Sequence, residues 1–269
     1  MSQIEKKTVL ITGGAQGLGR LLAEQCIAHG AAKVILWDIN EEGLAETAGE
    51  LAGRGSEVEG YAVDVQDSDQ IAATAEAILE EQPVHILVNN AGIVVGKPLA
   101  EHSHADIDRT INVNVLGVMH CTRAFLPAML EQGGHIVNLA SASGYMALPR
   151  LTTYAASKWA CLGFSESLRV ELEGQSNIHI TTVCPTYIDT GMFDGVKAPA
   201  GVPLLKPDYV VERIVKAILR DTPILRLPWL VNTIPITQAL LPRRLFELFI
   251  GKGLGIYKAM DHFEGHGRR

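Results

Sequence analysis

Residues 8–13 (TVLITG) form a short β-branched run that ends in glycine. The glycine-rich stretch continues through Gly14-Ala15-Gln16-Gly17-Leu18-Gly19 into a helical segment, 17–30. A buried strand that turns through glycines directly into a helix needs a crossover to a parallel neighbour, because two parallel strands cannot be joined by a hairpin. The rest of the chain repeats that unit. Apolar runs at 33–38, 58–65, 86–89, 135–140, 178–184 and 224–227 read as further strands. Between them, 41–51, 68–81, 103–131, 152–173 and 208–219 read as helices, with Ser68 the expected N-cap of the third. Strict alternation of this kind predicts an α/β fold: a doubly wound parallel sheet of about seven strands, covered by helices on both faces.

Composition agrees with a large buried core. Of 269 residues 47% are hydrophobic and 20% charged, and the formal net charge is −7. That balance argues against a nucleic-acid binder, whose surface would be basic. Cys26, Cys121, Cys161 and Cys184 lie far apart in apolar runs, which matches no common zinc spacing and favours buried free thiols in a reducing cytosol. No metal site is expected. The residues ahead of Thr8 are polar, and no signal peptide is expected. Residues 1–227 read as one unit, and 228–269 as a C-terminal extension of it, a lid or a membrane-contact segment.

The glycine loop has the chemistry of a dinucleotide site. Gly13, Gly17 and Gly19 allow a tight turn and close backbone approach to a pyrophosphate, and the following helix start presents free N–H groups from Gln16, Gly17 and Leu18. The acid expected at the end of the second strand is present as Asp38, 19 residues after Gly19. A carboxylate there accepts hydrogen bonds from ribose hydroxyls and repels a 2′-phosphate, so NAD is favoured over NADP. The competing role for Asp38 is to cap the helix beginning near Glu41. Ligands in open parallel sheets bind beyond the carboxyl ends of the strands. Asp64-Val65 would there meet the adenine, and Asn90-Ala91-Gly92 would line the cofactor channel, although each is also an ordinary turn sequence.

Tyr154 and Lys158 are four residues apart on a predicted helix and share one face. A phenol of ordinary pKa near 10 is a poor base. An adjacent ammonium lowers that pKa and fits the phenol for proton exchange with an alcohol. Ser141, thirteen residues earlier at a strand end, is placed to hold the substrate oxygen, with Ser143 as its rival.

Together these motifs, TGxxxGxG, NNAG and a Ser–Tyr–Lys set, resemble the short-chain dehydrogenase/reductase family over residues 8–220, and so a Rossmann-like sheet. The resemblance implies Ser141 as substrate-oxygen binder, Tyr154 as acid/base and Lys158 on the nicotinamide ribose. It implies Asn114 as holder of a water linking Lys158 to solvent. Pro185, Thr186, Ile188 and Thr190 become cofactor contacts. Where the family has Pro-Gly, this chain has Pro185-Thr186. The stretch 184–191 (CPTYIDTG), with 122–129 and 241–246, resembles the subgroup of retinol dehydrogenases and lipid-droplet 17-beta-hydroxysteroid dehydrogenases.

A lipophilic alcohol or carbonyl is therefore the expected small-molecule substrate, met by Ser141, Tyr145, Leu148, Tyr187, Met192 and Phe193. The tail, with Leu245, Phe246, Leu248, Phe249 and Ile250 beside Arg243, Arg244 and Lys252, reads as a pocket lid, a subunit contact or a helix lying on a membrane. Residues 261–269 are expected to fray. A cytoplasmic homodimer or homotetramer with peripheral membrane contact completes the expectation. Two other readings stand beside it. One is a 3-oxoacyl-carrier-protein reductase, disfavoured by Gln16 and Asp38. The other is a non-catalytic cofactor-sensing protein, disfavoured by the intact Tyr154 and Lys158.

Overall fold

The computed structural model describes residues 2–174, 177–199 and 201–265. Seven strands form one all-parallel sheet: β1 (Thr8–Thr12), β2 (Lys33–Asp38), β3 (Glu57–Ala62), β4 (Ile86–Asn89), β5 (Gly134–Leu139), β6 (Ile178–Pro185) and β7 (Ile224–Leu227). Their spatial order is β3-β2-β1-β4-β5-β6-β7. β1 pairs with both β2 and β4, so the chain reverses its direction of travel at β1 and opens a crevice at the carboxyl ends of β1 and β4.

The helices divide between the two faces. α1 (Gly17–Ala28), α2 (Glu41–Leu51) and α7 (Pro207–Leu219) cover one, where Leu22, Cys26, Leu44, Ile214 and Ile218 pack on Val9, Ile11 and Val34. α3 (Ser68–Glu81), α4 (His104–Ile111), α5 (Val118–Gln132) and α6 (Thr152–Glu171) lie on the other side, where Ile71, Ile78, Phe125, Met129 and Leu168 pack on Leu10, Ile35 and Leu87. This explains why the strands read as continuous apolar runs instead of alternating ones. All four cysteines are buried free thiols, and burial pushes Cys26, Cys121 and Cys184 up to about 12.

Several boundaries differ from the sequence reading for local reasons. β3 stops at Ala62 because Asp64 starts a turn, with Oδ1 accepting from the Gln66 N–H at 2.9 Å. Asp67, not Ser68, caps α3. Its carboxylate accepts from the N–H groups of Asp69 and Gln70, and the charge faces the positive helix end. α1 ends at Ala28, α6 ends at Glu171, and β6 runs one residue further, to Pro185.

The predicted long helix begins at its Ser103 cap as a capping box with Asp106, but a π-helical segment, Asn112–Gly117, separates α4 from α5. The whole stretch His104–Gln132 is long and apolar enough to cross a membrane by length and composition. Here Cys121, Phe125 and Met129 are part of the core under the sheet.

Beyond β7 come α8 (Thr233–Leu240), the single turn α9 (Arg243–Phe246) and a π-helical segment, Glu247–Gly253. Residues 261–264 are packed, contrary to the expected fraying. The Glu264 N–H donates to the Asp194 carbonyl at 3.0 Å, and Phe263 lies so close to Gly96 that a Cβ there would be 2.2 Å from its ring. Residues 266–269, the rest of that expectation, lie outside the described residues.

Candidate active site

The crevice at β1 is built by hydrogen bonds between strand ends. Thr12 Oγ1 accepts from the N–H groups of Asn90 (3.1 Å) and Ala91 (3.0 Å). Asn90 Nδ2 donates to the carbonyls of Thr12 (2.9 Å) and Gly13 (3.0 Å). Asn90-Ala91-Gly92 is thereby locked against the glycine loop. Thr12 was missed as a site residue in the sequence because its role depends on a strand 78 positions away.

A side chain at Gly13 would press on Ala91 and Asn90 at 3.0 Å, and one at Gly19 would lie 2.0 Å from the Gly13 carbonyl. Gly13 and Gly17 also have φ of +66° and +56°, values that favour glycine. Gln16 caps α1 without a side-chain hydrogen bond, and no acid lies in the first turn. The free N–H groups and the glycine cradle fit a pyrophosphate.

Asp38 is half-buried at the end of β2. Its Oδ2 accepts from the Ala15 N–H and its Oδ1 from the Asn40 N–H, each at 3.1 Å. The helix-capping role goes instead to Asn40, whose Oδ1 accepts from the Gly43 N–H. A carboxylate has about four lone-pair sites, so Asp38 holds the loop and keeps acceptor capacity for ribose hydroxyls. Asp64 turns toward Gln66, while Val65 is buried against Gly117 of the π-helical segment. Leu18 is half-buried against the core. Thr190 lies across from Gly17, with its Cβ 3.8 Å from where a Gly17 side chain would begin. Ile188 packs into the core and bridges to Leu205.

Ser141, Tyr154, Lys158 and Asn114 lie close together. Tyr154 and Lys158 are buried on α6, with Lys158 Nζ 5.7 Å from the Tyr154 ring centroid. Lys158 Nζ donates to the Leu139 carbonyl at 2.7 Å. A side chain at Gly92 would lie 3.7 Å from that Nζ and 3.3 Å from Asn114 Oδ1, so the glycine makes room for both. Asn114 Oδ1 accepts from the Ile93 N–H at 2.9 Å. Its Nδ2 donates to the Ile93 carbonyl and to Ser157 Oγ, and Ser157 Oγ in turn donates to the Tyr154 carbonyl. Both Nδ2 protons are therefore taken by the protein. Ser157 is a second residue the sequence did not single out.

The electrostatics correct one expectation. Burial drives the Tyr154 phenol well above its ordinary value, and its hydrogen bond with Ser141 opposes that shift. Burial also lowers the Lys158 pKa. The lysine head is anchored on Leu139, so it does not offset burial at the phenol.

Next to Ser141 and Tyr154 opens a largely apolar cavity. One part of its wall is Ser141, Ser143, Leu148, Tyr154, Thr186, Tyr187 and Phe193. The tail supplies another, including Val231, Ile234, Ile250, Leu254 and Ile256. Of the residues expected to meet a substrate, Leu148, Tyr187 and Phe193 line this cavity. Phe193 is fixed inward by edge contacts with Tyr154, Tyr187 and Phe263.

Tyr145 and Met192 are not part of the wall. Tyr145 lies beneath the Arg226 guanidinium, 4.9 Å from its ring centroid, and packs on the cluster around Cys184. Met192 precedes the inward-held Phe193 in a turn made by Gly191 at φ +83°. Ile250 belongs to the tail segment for which a pocket lid was one of the expected roles, whereas Leu254 and Ile256 went unassigned in the sequence because their packing is non-local.

A seven-stranded Rossmann-like sheet with this crevice defines a nucleotide-dependent oxidoreductase architecture. The short chain dehydrogenase family model matches residues 7–200. Short-chain dehydrogenase/reductase 3 of Homo sapiens is 37% identical over 269 residues, covering 98% of this chain and 89% of the relative. Epidermal retinol dehydrogenase 2 of Homo sapiens is 39% identical over 262 residues (95% and 84%), and Estradiol 17-beta-dehydrogenase 11 of Homo sapiens 38% over 244 (89% and 81%).

Among solved structures, a short chain dehydrogenase/reductase from Burkholderia phymatum in complex with NAD superposes with TM-score 0.79 at 30% identity, covering 94% of this chain and 98% of its own. A short chain dehydrogenase from Burkholderia cenocepacia J2315 in complex with NADP gives 0.80 at 27% (92% and 99%). The chain belongs to the short-chain dehydrogenase family. It is an oxidoreductase of that family, in the retinol and 17-beta-hydroxysteroid dehydrogenase subgroup, and its cofactor is a nicotinamide dinucleotide.

Proposed function

We propose that the protein interconverts a lipophilic alcohol and its ketone or aldehyde with NAD as cofactor. The observation that carries this reading is Ser141 and Tyr154 together in the wall of a largely apolar cavity, with Lys158 beside the Tyr154 ring. The glycine cradle, Asp38, Asp64-Val65, Asn90-Ala91-Gly92, Pro185-Thr186, Ile188 and Thr190 hold the dinucleotide. The bound nicotinamide supplies the hydride acceptor or donor. Ser141 Oγ orients the substrate oxygen, and Tyr154 Oη exchanges the proton with it. Lys158, anchored on the Leu139 carbonyl, holds the nicotinamide ribose, with Asn114 bracing the Ile93 loop beside it. Asp38 favours NAD, since a 2′-phosphate beside it would meet a carboxylate and no compensating base: Ala15, Gln16 and Ile39 carry no charge.

Two further elements belong to the reading. The outer face of the tail exposes Trp229, Ile236, Leu240, Leu248 and Phe249, with Arg243 and Lys252 on the same segment, which supports peripheral attachment of a cytoplasmic protein to a membrane surface. Exposed Leu116 and Leu130 on one long helical stretch, and Trp159 and Val170 on α6, support a homodimer or homotetramer formed through those helices.

The test is cofactor reduction by the purified protein with NAD or NADP across steroid, retinoid, long-chain and short-chain alcohols. Turnover with NAD and an apolar alcohol is expected. Turnover only with NADP, or only with small polar alcohols, would refute the cofactor or the substrate assignment respectively.

A further inference from the structure

The cavity wall is chemically lopsided. Ser143 and Tyr187 are 2% and 7% exposed, and neither their hydroxyls nor that of Thr186 has a hydrogen-bond partner, although all three line the cavity. Buried hydroxyls without partners are costly unless a ligand satisfies them. They come from the segments after β5 and β6, the same segments that carry Ser141 and hold Phe193 against Tyr154.

The wall supplied by the tail offers the reverse. Val231, Ile234, Ile250, Leu254 and Ile256 are aliphatic. Its two hydroxyls are spent on their own helix: Thr233 Oγ1 donates to the Leu230 carbonyl at 2.7 Å. Thr237 Oγ1 lies 2.9 Å and 3.0 Å from the carbonyls of Thr233 and Ile234. Among the described lining residues there is no charged, amide or imidazole side chain.

From this asymmetry we infer that the site selects alcohols whose only oxygen is at the reacting end, carried on an unsubstituted hydrocarbon body. The inference rests on the proposed alcohol–carbonyl reading and narrows it. A substrate oxygen at the hydroxyl-rich end meets donors from Ser141, Ser143, Thr186 and Tyr187. A ketone or carboxylate at the other end of the same molecule meets aliphatic side chains and hydroxyls already spent on backbone carbonyls, and its hydration is lost without replacement. An apolar wall rejects an added polar group by up to about a hundredfold.

The experiment compares decan-1-ol with 10-hydroxydecan-2-one, equal in chain length and differing in one distal ketone. Turnover with NAD is read as kcat/KM, and binding is read separately by displacement of an environment-sensitive apolar dye from the cavity. The keto-alcohol is expected to be about ten- to a hundred-fold poorer in both. Leu254→Gln, which installs a donor on the tail wall, is expected to narrow the gap from both sides, weakening decan-1-ol binding and strengthening that of the keto-alcohol. Equal or better binding of the keto-alcohol by the unaltered protein would overturn the inference. If neither alcohol is oxidised but the dye is displaced selectively by decan-1-ol, the selectivity stands and the proposed reaction falls.

Discussion

Asp38 and Tyr154 are the residues on which the proposed chemistry turns, and each makes a distinct prediction. Asp38 holds the Ala15 N–H and has the proposed role of ribose acceptor, so Asp38→Ala should shift the NADH to NADPH preference toward NADPH by tenfold or more, roughly 1.4 kcal/mol or above. Cofactor titration by fluorescence reads this directly, and an unchanged ratio would leave Asp38 a loop anchor only. Tyr154 is held as a neutral phenol by burial and is opposed by Ser141 alone among its neighbours, which makes Ser141→Ala a probe of the pair. Far from the crevice, His135 is buried between Ser2 and Thr181, and burial lowers its pKa to about 4, with Asp221 opposing and His179 assisting. In the unfolded chain its value returns to about 6.5. The unfolded state therefore binds the extra proton first. The stabilisation is complete above pH 6.5 and is lost as pH falls from 6.5 through 4, by about 3 kcal/mol in all. Urea unfolding at pH 7 and pH 4.5 should show the loss, and His135→Asn should flatten it.

At the scale of elements, legibility followed locality. β strands buried on both faces announce themselves as apolar runs, and glycine loops and the Tyr154–Lys158 pair carry their meaning within a few residues. The choice of Asp67 over Ser68 as cap was not readable, since both are good caps and only the folded geometry of Asp69 and Gln70 decides. Nor was the π-helical segment at Asn112–Gly117, where Gly117 lets Val65 approach within reach of the helix backbone. The direction of Tyr145, set by Arg226 on a strand 81 positions later, left no trace in its own neighbourhood. The tail was the least readable element, because its role appears only when Ile250, Leu254 and Ile256 reach the cavity. Deleting the chain after Leu241 removes those residues and the Phe263 clamp on Phe193. The account expects KM for long-chain alcohols to rise severalfold while that for short alcohols changes little. An equal change for both would make the tail a general stabiliser.

The whole molecule combines a parallel sheet, whose strand ends form the crevice at β1 and β4, with a C-terminal tail that completes the cavity beside Tyr154. Its net charge of −7 coexists with an exposed apolar tail face carrying Arg243 and Lys252. Co-sedimentation with vesicles containing anionic lipid should therefore exceed that with neutral vesicles and fall with added salt, and Leu248→Ser with Phe249→Ser should abolish it. The central claim remains that the Tyr154 phenol carries the proton in an NAD-dependent alcohol oxidation. Its most direct test is a side-by-side assay of the unaltered protein and Tyr154→Phe, with NAD and a long-chain alcohol, alongside NADH binding to both. The account predicts turnover lowered at least a thousandfold, about 4 kcal/mol in the barrier, with NADH affinity nearly unchanged. Turnover retained in Tyr154→Phe would contradict it.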